Sequence, residues 1–455
     1  MKTTTRRQFI KRTGIFALGS LTSGFPWIRT NARTSEVDVV VVGAGMAGLI
    51  ATETLLAMGR SVILLEASNR IGGRVNLDKQ TFNVPYDRGA HWLHQGSINP
   101  LLGYAKNNGF SVYKSPSKEI LYIDKREATV DEYREYNKAY RSTYRATGAA
   151  GRMGKDVSPA SVVPDVGKWN ELVHLNIGPN EMAKDFDRFS CLDWWNSEGG
   201  EDWYCREGFG AIVEHRTASV PVKLNTSVTG IRWGKSGVVV ETDKGDIMAK
   251  KTIVTVSNGV LASDGINFNP PLPVSKKEAF HDISMGVYNH IALQFRENFF
   301  GIGEDGYVIY PPESGKGDQR EFVSPRGVSM LVNISGSNLS LCDVGGEFAR
   351  ELENEGVAGG IDFALGELRK IFGSRVDKHF IKGDMTMWAS DPLFQGSYAS
   401  AEPGKFAMRK HLGTDVAERL YFAGEACSKL EWSTVNGAYK TGEHAALQVH
   451  RSLPT

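Results

Sequence analysis

A β-branched run that leads directly into a glycine-rich turn constrains the fold of this chain more than any other feature. Residues 38–42 read DVVVV, which favours a strand buried in a parallel sheet. The turn GAGMAG occupies residues 43–48, and the apolar residues 49–58 predict a helix after it. A second predicted strand, residues 61–65, ends at Glu66. Strand, glycine turn, helix, strand and acid in this order are the fingerprint of a dinucleotide-binding βαβ unit.

Each residue of this fingerprint has a physical role. Gly43 permits the tight turn, Gly45 lets the backbone approach a pyrophosphate, and Gly48 lets the helix pack against the strand. Glu66 suits a ribose diol and disfavours the 2′-phosphate of NADP. A glycine-rich turn without a ligand is the alternative interpretation. The residues expected to contact the dinucleotide here are Gly43, Gly45, Met46, Ala47, Gly48, Glu66 and Ala67.

The residues after the second strand indicate which dinucleotide binds. Residues 66–74 read EASNRIGGR, so that Gly73 gives another close backbone approach while Arg70 and Arg74 supply cations for phosphate oxygens. This ExxxRxGGR block resembles the flavin-containing amine oxidase family, which includes monoamine oxidases, polyamine oxidases and lysine-specific histone demethylases. The resemblance implies that the dinucleotide is FAD.

Four further blocks resemble the same family and follow in the family's order. They are DRGAHWLH at 87–94, VKLNTSV at 222–228, the strand, loop and PPLP at 253–273, and LYFAGE at 420–425 with TVNGA at 434–438. The resemblance therefore covers nearly the whole chain after residue 34. The resemblance implies that 222–228 is a strand that reaches the adenine end of FAD. It implies further FAD contacts at Gly89, Ala90, His91, Trp92, Val228, Gly424, Glu425, Thr434 and Val435.

The order of the blocks predicts the fold class and the domains. We expect an α/β protein in which a Rossmann-type FAD-binding domain is interleaved with an α+β substrate-binding domain. The FAD-binding domain takes residues 35–91, 206–281 and 381–451, and the substrate-binding domain takes residues 92–205 and 282–380. In the first substrate segment Tyr133, Tyr136, Tyr140 and Tyr144 share one helical face, which favours core packing over a role at the substrate entrance.

The C-terminal block places an acid where open α/β sheets bind ligands. Residues 420–423 form a short apolar strand that ends just before Glu425, which the resemblance assigns to the ribityl chain of FAD. A solvated acid at the strand end is the alternative. A helix at 437–446 would direct its N-terminus toward the flavin. Monoamine oxidases carry a flavin-linked cysteine where this chain has Ser397, so we expect non-covalent FAD.

The block at 388–398, WASDPLFQGSY, supplies candidate active-site residues. The resemblance places Tyr398 beside the flavin, where its face can guide a neutral amine, and Trp388 close by. Thr434 occupies the position of the second cage tyrosine of monoamine oxidases, and His94 matches a position near the substrate in polyamine oxidases. Trp388 and His94 could equally be structural residues.

His290 is the largest departure from the family pattern. Relatives have a lysine in the strand that approaches the flavin, and that lysine holds a water molecule near N5. This chain reads GVYNHIALQF at 286–295, which puts a histidine at that position. Histidine can also hold a water and can titrate near neutral pH. A structural histidine on a misaligned strand is the alternative, and the loss of lysine puts fast use of O2 in doubt.

The resemblance implies FAD-dependent oxidation of an amine, with O2 or a periplasmic redox carrier as acceptor. His94 tilts the expected substrate slightly toward a polyamine or a secondary amine. An L-amino-acid oxidase is the first alternative, although relatives of that type have a carboxylate-binding arginine where this chain has His91-Trp92. A flavoprotein used only for binding is the second. The oligomeric state stays open.

The composition and the N-terminal motif limit which further partners and which location we expect. The net charge is +1, so we expect no general attraction to nucleic acid or anionic membrane. The four cysteines lack metal-ligand spacing, and we expect no metal site. Residues 5–11 read TRRQFIK and resemble a twin-arginine export signal, so we expect a signal peptide at 1–34 and a periplasmic location without a stable membrane anchor.

Overall fold

The β-branched run at residues 38–42 lies in a buried strand with a parallel neighbour on each side, as its sequence predicts. The computed structural model describes residues 36–116, 119–312 and 325–454. The expected signal peptide at 1–34 lies outside the described residues. In the described part of the chain, no helix combines the length and the apolar character needed to cross a membrane.

The regular elements of the described residues are numbered in chain order. The strands are β1 (Val37–Val42), β2 (Val62–Leu65), β3 (Leu77–Asp78), β4 (Tyr86–Asp87), β5 (Val112–Lys114), β6 (Glu119–Ile123), β7 (Arg126–Glu127), β8 (Trp203–Cys205), β9 (Val228–Gly234), β10 (Gly237–Thr242), β11 (Ile247–Val254), β12 (Asn267–Asn269), β13 (Tyr288–Phe295), β14 (Gly306–Ile309), β15 (Ser329–Val332), β16 (Leu339–Gly345), β17 (Phe380–Met385) and β18 (Leu420–Phe422). The α-helices are α1 (Met46–Ala57), α2 (Pro100–Asn107), α3 (Val130–Arg152), α4 (Asn170–Leu175), α5 (Cys191–Trp195), α6 (Phe209–Arg216), α7 (Asn258–Ala262), α8 (Val274–Asp282), α9 (Gly346–Phe372), α10 (Arg375–His379), α11 (Arg409–Leu412) and α12 (Val435–Ser452). A π-helical turn, Asn176–Asn180, follows α4.

The first sheet has the order β12-β9-β10-β11-β1-β2, and β18 also pairs with β11. The pairs of β1 with β2, of β1 with β11 and of β11 with β18 are all parallel. Apolar side chains of β1 are buried on both faces of the sheet, as expected for a parallel strand. Helices α1 and α12 cover one face, and α8 packs on the other.

Two expectations about this sheet need correction. Helix α1 begins at Met46, three residues before the predicted start, because the glycine turn itself closes the first helical turn. The segment 222–228 is not a strand. Lys223 makes one isolated parallel bridge with Leu65, and regular pairing starts only at Val228.

The second sheet has the order β17-β13-β16-β15-β14-β6-β7. Its strands β13 to β16 come from the predicted substrate segment 282–380, and β6 and β7 come from 92–205. Strand β17 pairs with β13 although its residues fall almost wholly in the segment 381–451. Helix α9 packs on this sheet over a core of buried apolar side chains. The exact domain limits stay a prediction.

Helix α3 carries the tyrosine stripe on a single long helix, as the spacing predicts. Thr129 accepts a hydrogen bond from the backbone of Glu132, whose side chain in turn accepts from the backbone of Thr129, and this capping box fixes the start of the helix. All four cysteines of the chain are free thiols. Within the described ranges, no three histidine, cysteine or acidic side chains are grouped to hold a metal ion.

Candidate active site

A cavity of about 1120 Å³ is lined by residues from both sheets and from the helices between them. It has two walls that differ in construction. The glycine wall comprises the turn 43–47, Glu66, Gly73 and Arg74. The aromatic wall comprises Trp92, Tyr288, Trp388 and Tyr398, and His290 lines the cavity beside it.

The turn before α1 fits a phosphate group. A Cβ atom added to Gly45 would meet no protein atom within 4 Å, because the space beside it is the cavity. A Cβ atom on Gly48 would lie 1.9 Å from the carbonyl oxygen of Gly43, so this glycine is required for close packing and does not line the cavity. The N-terminus of α1 has no side-chain cap and no acidic residue in its first turn. Its free N–H groups can therefore bind an anion in the cavity.

Glu66 holds the glycine wall together from the end of β2. Its Oε2 atom accepts a hydrogen bond of 2.7 Å from the backbone N–H of Ala44, and its Oε1 atom accepts from the backbone and hydroxyl of Ser68 at 2.9 and 2.7 Å. The carboxylate lines the cavity and keeps about one unused lone pair, since two oxygens offer about four acceptor positions and three are occupied. It is therefore placed to accept a hydrogen bond from a ribose hydroxyl as well.

The two arginines of the ExxxRxGGR block lie in different places. Arg74 lines the cavity and donates hydrogen bonds to Glu425 Oε1 at 2.8 Å and to the carbonyl of Ser397 at 2.6 Å. Arg70 does not line it. Its guanidinium donates to the carbonyl of Gly73 at 2.7 Å, which shapes the loop from outside the wall. A phosphate contact by Arg70 stays a prediction that this geometry does not favour.

Glu425 lies directly beyond β18 and lines the cavity, where the sequence places a ligand-binding acid. Besides the ion pair with Arg74, its Oε2 accepts a hydrogen bond of 3.1 Å from the backbone of Ser433. The neighbouring Gly424, Thr434, Val435 and Ala438 also line the cavity, so the N-terminus of α12 reaches it.

The aromatic wall brings together residues that lie far apart in the sequence. The rings of Tyr288 and Tyr398 lie 6.1 Å apart, and the rings of Trp92 and His290 lie 6.1 Å apart. Trp388 approaches the backbone at Gly89 so closely that a Cβ atom there would lie 3.0 Å from its indole. The remaining predicted contacts Met46, Ala47, Ala67, Ala90, His91 and Val228 also line the cavity.

Two hydroxyl groups in the cavity wall are already engaged by the protein. Ser397 Oγ donates to the carbonyl of Tyr288 at 2.8 Å and accepts from its N–H at 2.7 Å. Thr434 caps α12, since its Oγ1 accepts from Gly437 N at 3.0 Å and donates to the carbonyl of Glu431 at 2.7 Å. Thr434 thus lines the cavity mainly as a helix cap, and its hydroxyl is not free to bind an amine.

His290 lies on β13 and lines the cavity, as the predicted strand requires, but both of its ring nitrogens contact the protein. Nδ1 lies 2.5 Å from Asp343 Oδ1, and Nε2 lies 2.9 Å from the carbonyl oxygen of Gly89. The side chain is 3% exposed. The expectation that His290 holds a water molecule is not supported, because neither ring nitrogen is left to bind one.

His94 lies at a partly exposed position of the cavity. Its side chain is 41% exposed, stacks on Trp92 and forms a 2.8 Å contact through Nδ1 with Asp202. It lines the cavity, so both the substrate-contact and the structural interpretations remain compatible with its position.

Glu181 is a cavity residue that the sequence analysis did not identify. It follows the π-helical turn, and π-helical insertions are frequent at functional sites. Glu181 is exposed to solvent within the cavity, but the surrounding protein still desolvates its carboxylate and raises the pKa of Glu181 to about 7, although a 2.8 Å hydrogen bond from Trp194 Nε1 opposes this rise. Its backbone carbonyl accepts a 3.4 Å hydrogen bond from the hydroxyl of Tyr398. The sequence LNIGPNE at residues 175–181 contains no charge pattern that would have singled it out.

Further acidic and aromatic side chains line the same cavity as Glu181. They are Glu119, Tyr140, Tyr144, Trp194, Trp195, Glu198, Asp202 and Trp432. Burial also raises the pKa of Glu119. Two members of the tyrosine stripe, Tyr140 and Tyr144, therefore reach the cavity, while Tyr136 is buried in the core.

The fold and the cavity define a dinucleotide-dependent oxidoreductase of mixed α/β architecture. The chain belongs to the family of flavin containing amine oxidoreductases, whose sequence profile matches residues 46–187 and 175–450. The predicted family and fold class are thereby confirmed, and the protein is a FAD-dependent enzyme that oxidises amines.

Individual relatives agree with this assignment. Polyamine oxidase 4 of Oryza sativa subsp. japonica is 27% identical over 459 residues, which cover 92% of this chain and 90% of that protein. Lysine-specific histone demethylase 2 of Homo sapiens is 26% identical over 479 residues, which cover 97% of this chain and 57% of that protein. Wild-type putrescine oxidase bound to putrescine has the same fold, with a TM-score of 0.72 at 18% identity over 91% of this chain and 99% of that one.

The residues of the glycine wall fit FAD. The space at Gly45, the uncapped start of α1 and the acceptor atoms of Glu66 suit a pyrophosphate and a ribose, and Glu425 with Arg74 suits the flavin side of the cofactor. FAD is bound non-covalently. No cysteine is among the described residues that line the cavity, which agrees with the expectation based on Ser397.

Proposed function

We propose that this protein oxidises a polyamine or a related amine with several positive charges. The observation that carries this proposal is the position of Glu181 in the same cavity as Tyr398. A carboxylate among aromatic rings can bind an ammonium group while the faces of the rings add cation–π attraction. The substrates named for the relatives above, a polyamine and putrescine, have this chemistry.

The charge of the cavity supports the same class of substrate. Glu119, Glu181, Glu198 and Asp202 line it, whereas Arg74 is the only arginine or lysine among its described lining residues and is paired with Glu425. A cationic substrate is therefore attracted and an anionic one is not. The same imbalance disfavours an L-amino-acid oxidase, because Arg74 is committed and no second arginine can bind a carboxylate.

The side chains have distinct tasks in the proposed reaction. FAD, when bound, supplies at N5 the acceptor for a hydride from the carbon next to the amine nitrogen, and water then hydrolyses the imine. Tyr398 directs the neutral amine nitrogen with its ring face, while Glu181 binds a second, protonated nitrogen of the same molecule. Trp388 and Trp92 narrow the cavity and exclude water from the reacting carbon.

The electron acceptor and the location belong to the same proposal. The motif TRRQFIK at 5–11 supports export by the twin-arginine route, which would give a periplasmic redox carrier access to the enzyme. O2 is the alternative acceptor. Reduced enzyme mixed with air-saturated buffer in a stopped-flow instrument distinguishes them, because slow reoxidation by O2 favours the carrier. Cell fractionation after replacing Arg6 and Arg7 with lysine tests the export signal.

An anaerobic panel of amines tests the substrate. We expect putrescine, spermidine or spermine to bleach the flavin absorbance faster than benzylamine or an L-amino acid does. Bleaching by an L-amino acid alone would contradict the proposal, and no bleaching by any amine would favour a protein that only binds flavin.

A further inference from the structure

The charge state of His290 follows from its two hydrogen-bond partners. A backbone carbonyl oxygen can only accept, so the 2.9 Å contact with Gly89 requires a proton on Nε2. Asp343 Oδ1 lies 2.5 Å from Nδ1, and an ionised carboxylate can also only accept. The pair therefore shares one proton between Oδ1 and Nδ1 in addition to the proton on Nε2. With Asp343 as the carboxylate, both ring nitrogens carry protons and the ring is the imidazolium cation.

The surroundings favour this cation. Asp343 is 0% exposed and contacts Nδ1 of His290 through Oδ1, so His290 is its direct counter-charge. Burial alone would lower the pKa of His290, but the charge and hydrogen bond of Asp343, the carbonyl of Gly89 and the charge of Asp87 together raise it. Tyr288, on the same strand, stays a neutral phenol because burial raises its pKa well above the ordinary value.

The geometry also fixes where the charge lies. His290 and Asp343 are directly opposed residues of the antiparallel strands β13 and β16. The Gly89 carbonyl belongs to the block that lines the cavity between Arg74 and Trp388. Three separate segments therefore clamp one ring, and the charge cannot move as it could on a flexible lysine.

We infer that Asp343 is a positioning residue that keeps His290 as a permanent imidazolium, so that this chain supplies through a histidine–aspartate pair the fixed cation that a lysine would supply. The charge itself is a property of the protein alone. Only its effect on the redox step rests on the proposed function, because a cation beside bound FAD would favour the negatively charged reduced cofactor.

The charge is tested on the holoenzyme by NMR of histidine labelled with 15N, and His290→Asn assigns the signal. We expect wild-type His290 to be protonated on both nitrogens at pH 7.5, where an ordinary histidine is about 90% neutral. In Asp343→Asn we expect the neutral form with its proton on Nε2. A neutral His290 in the wild type would overturn the inference. This wild-type spectrum does not depend on whether Asp343→Asn folds.

The redox consequence is tested separately. We expect Asp343→Asn to shift the midpoint potential of the bound flavin to more negative values and to slow reoxidation by O2 at least about tenfold. Ser340→Ala is the matched control, since Ser340 is buried on the same strand without a hydrogen-bond partner among the described residues. An unchanged potential together with a cationic wild-type His290 would refute the redox role, and failure of all amines in the substrate panel would leave both of these readouts intact.

Discussion

The two walls of the cavity differ in whether backbone or side chains form them. The glycine wall consists mainly of backbone from short pieces of one segment, residues 43–74, with a few side chains that brace it. The aromatic wall and its acidic surroundings consist of side chains from strands, helices and loops between residues 92 and 432. The glycine wall contacts its ligand through backbone N–H groups, which depend little on residue type. The aromatic wall contacts its ligand through side chains, so its chemistry depends on which residues are present.

This difference separates cofactor binding, which depends on the glycine wall, from substrate selection, which depends on the aromatic wall. A wall made of backbone tolerates substitutions except where a Cβ atom would fill the ligand's space, as at Gly45. A wall made of side chains can change its substrate by single substitutions without loss of the cofactor. The four experiments below, in order of decreasing expected effect, test this division.

Replacing Glu66 by alanine should have the largest effect. The variant loses the acceptor atoms for a ribose and the hydrogen bond to Ala44, so FAD affinity should fall by about 10- to 150-fold, equivalent to about 1.5–3 kcal/mol. Titration of apoprotein with FAD, followed by fluorescence, measures it. Glu53→Ala on helix α1, outside the cavity, is the control. Equal affinities of the two variants would show that Glu66 does not contact FAD.

Two glycine substitutions should distinguish a glycine that leaves room for the ligand from a glycine that is needed for packing inside the protein. Gly45→Ala should leave the apoprotein folded, because its φ of −73° is allowed and no atom lies near the new Cβ, but FAD should bind more weakly, by about 1–3 kcal/mol or about 5- to 150-fold. Gly48→Ala should lower the free energy of unfolding by a similar amount, since its Cβ would overlap Gly43. Thermal unfolding of both apoproteins measures their stability, and titration with FAD measures their affinity for the cofactor. Normal FAD binding by Gly45→Ala would place the pyrophosphate elsewhere.

Glu181→Gln should affect the amine and spare the cofactor. Since the pKa of Glu181 is raised to about 7, its carboxylate attracts ammonium above pH 7 and loses this attraction as the pH falls below 7. The wild-type KM for a polyamine should therefore fall as the pH rises from 6 to 8, while the variant should have a flat profile and a KM about tenfold higher at pH 8. Glu171→Gln, another acid with a raised pKa but outside the cavity, should behave as wild type. If the KM of the wild type and the KM of Glu181→Gln changed with pH in the same way, Glu181 would not be a substrate-binding residue.

Thr434→Ala should have the smallest effect, and it should act on stability. Loss of the cap on α12 should lower the free energy of unfolding by about 1 kcal/mol, and Thr434→Ser should restore it. Denaturant unfolding of the holoenzyme measures both. If Thr434→Ser changed the KM for an amine more than about twofold while keeping stability, Thr434 would have to be counted as a substrate contact.

The sequence predicted the glycine wall well because its chemistry is local. The turn 43–48, Glu66 and Glu425 lie where the motif and the strand ends place them. Arg70 is the exception, since the same block could not indicate that its guanidinium donates to the carbonyl of Gly73 outside the wall.

The aromatic wall was predicted only where the family resemblance supplied it. Asp343 could not be found, because its place opposite His290 depends on the register of β13 with β16, which no local pattern specifies. Glu181 depends on a π-helical turn at Asn176–Asn180, which has no periodic signal. The water-holding role expected of His290 is not supported because the partners of a ring nitrogen are long-range contacts.

The position of β18 has a consequence for the biosynthesis of the enzyme. The first sheet sets side by side β1 from the beginning of the chain, β11 from its middle and β18 from its end, and α12 then packs on α1. A chain synthesised only as far as residue 419 therefore lacks the strand and the helix that complete this sheet. Because Glu425 and the start of α12 line the cavity, stable capture of FAD requires this segment, and a chain without it exposes the apolar faces of β11 and α1.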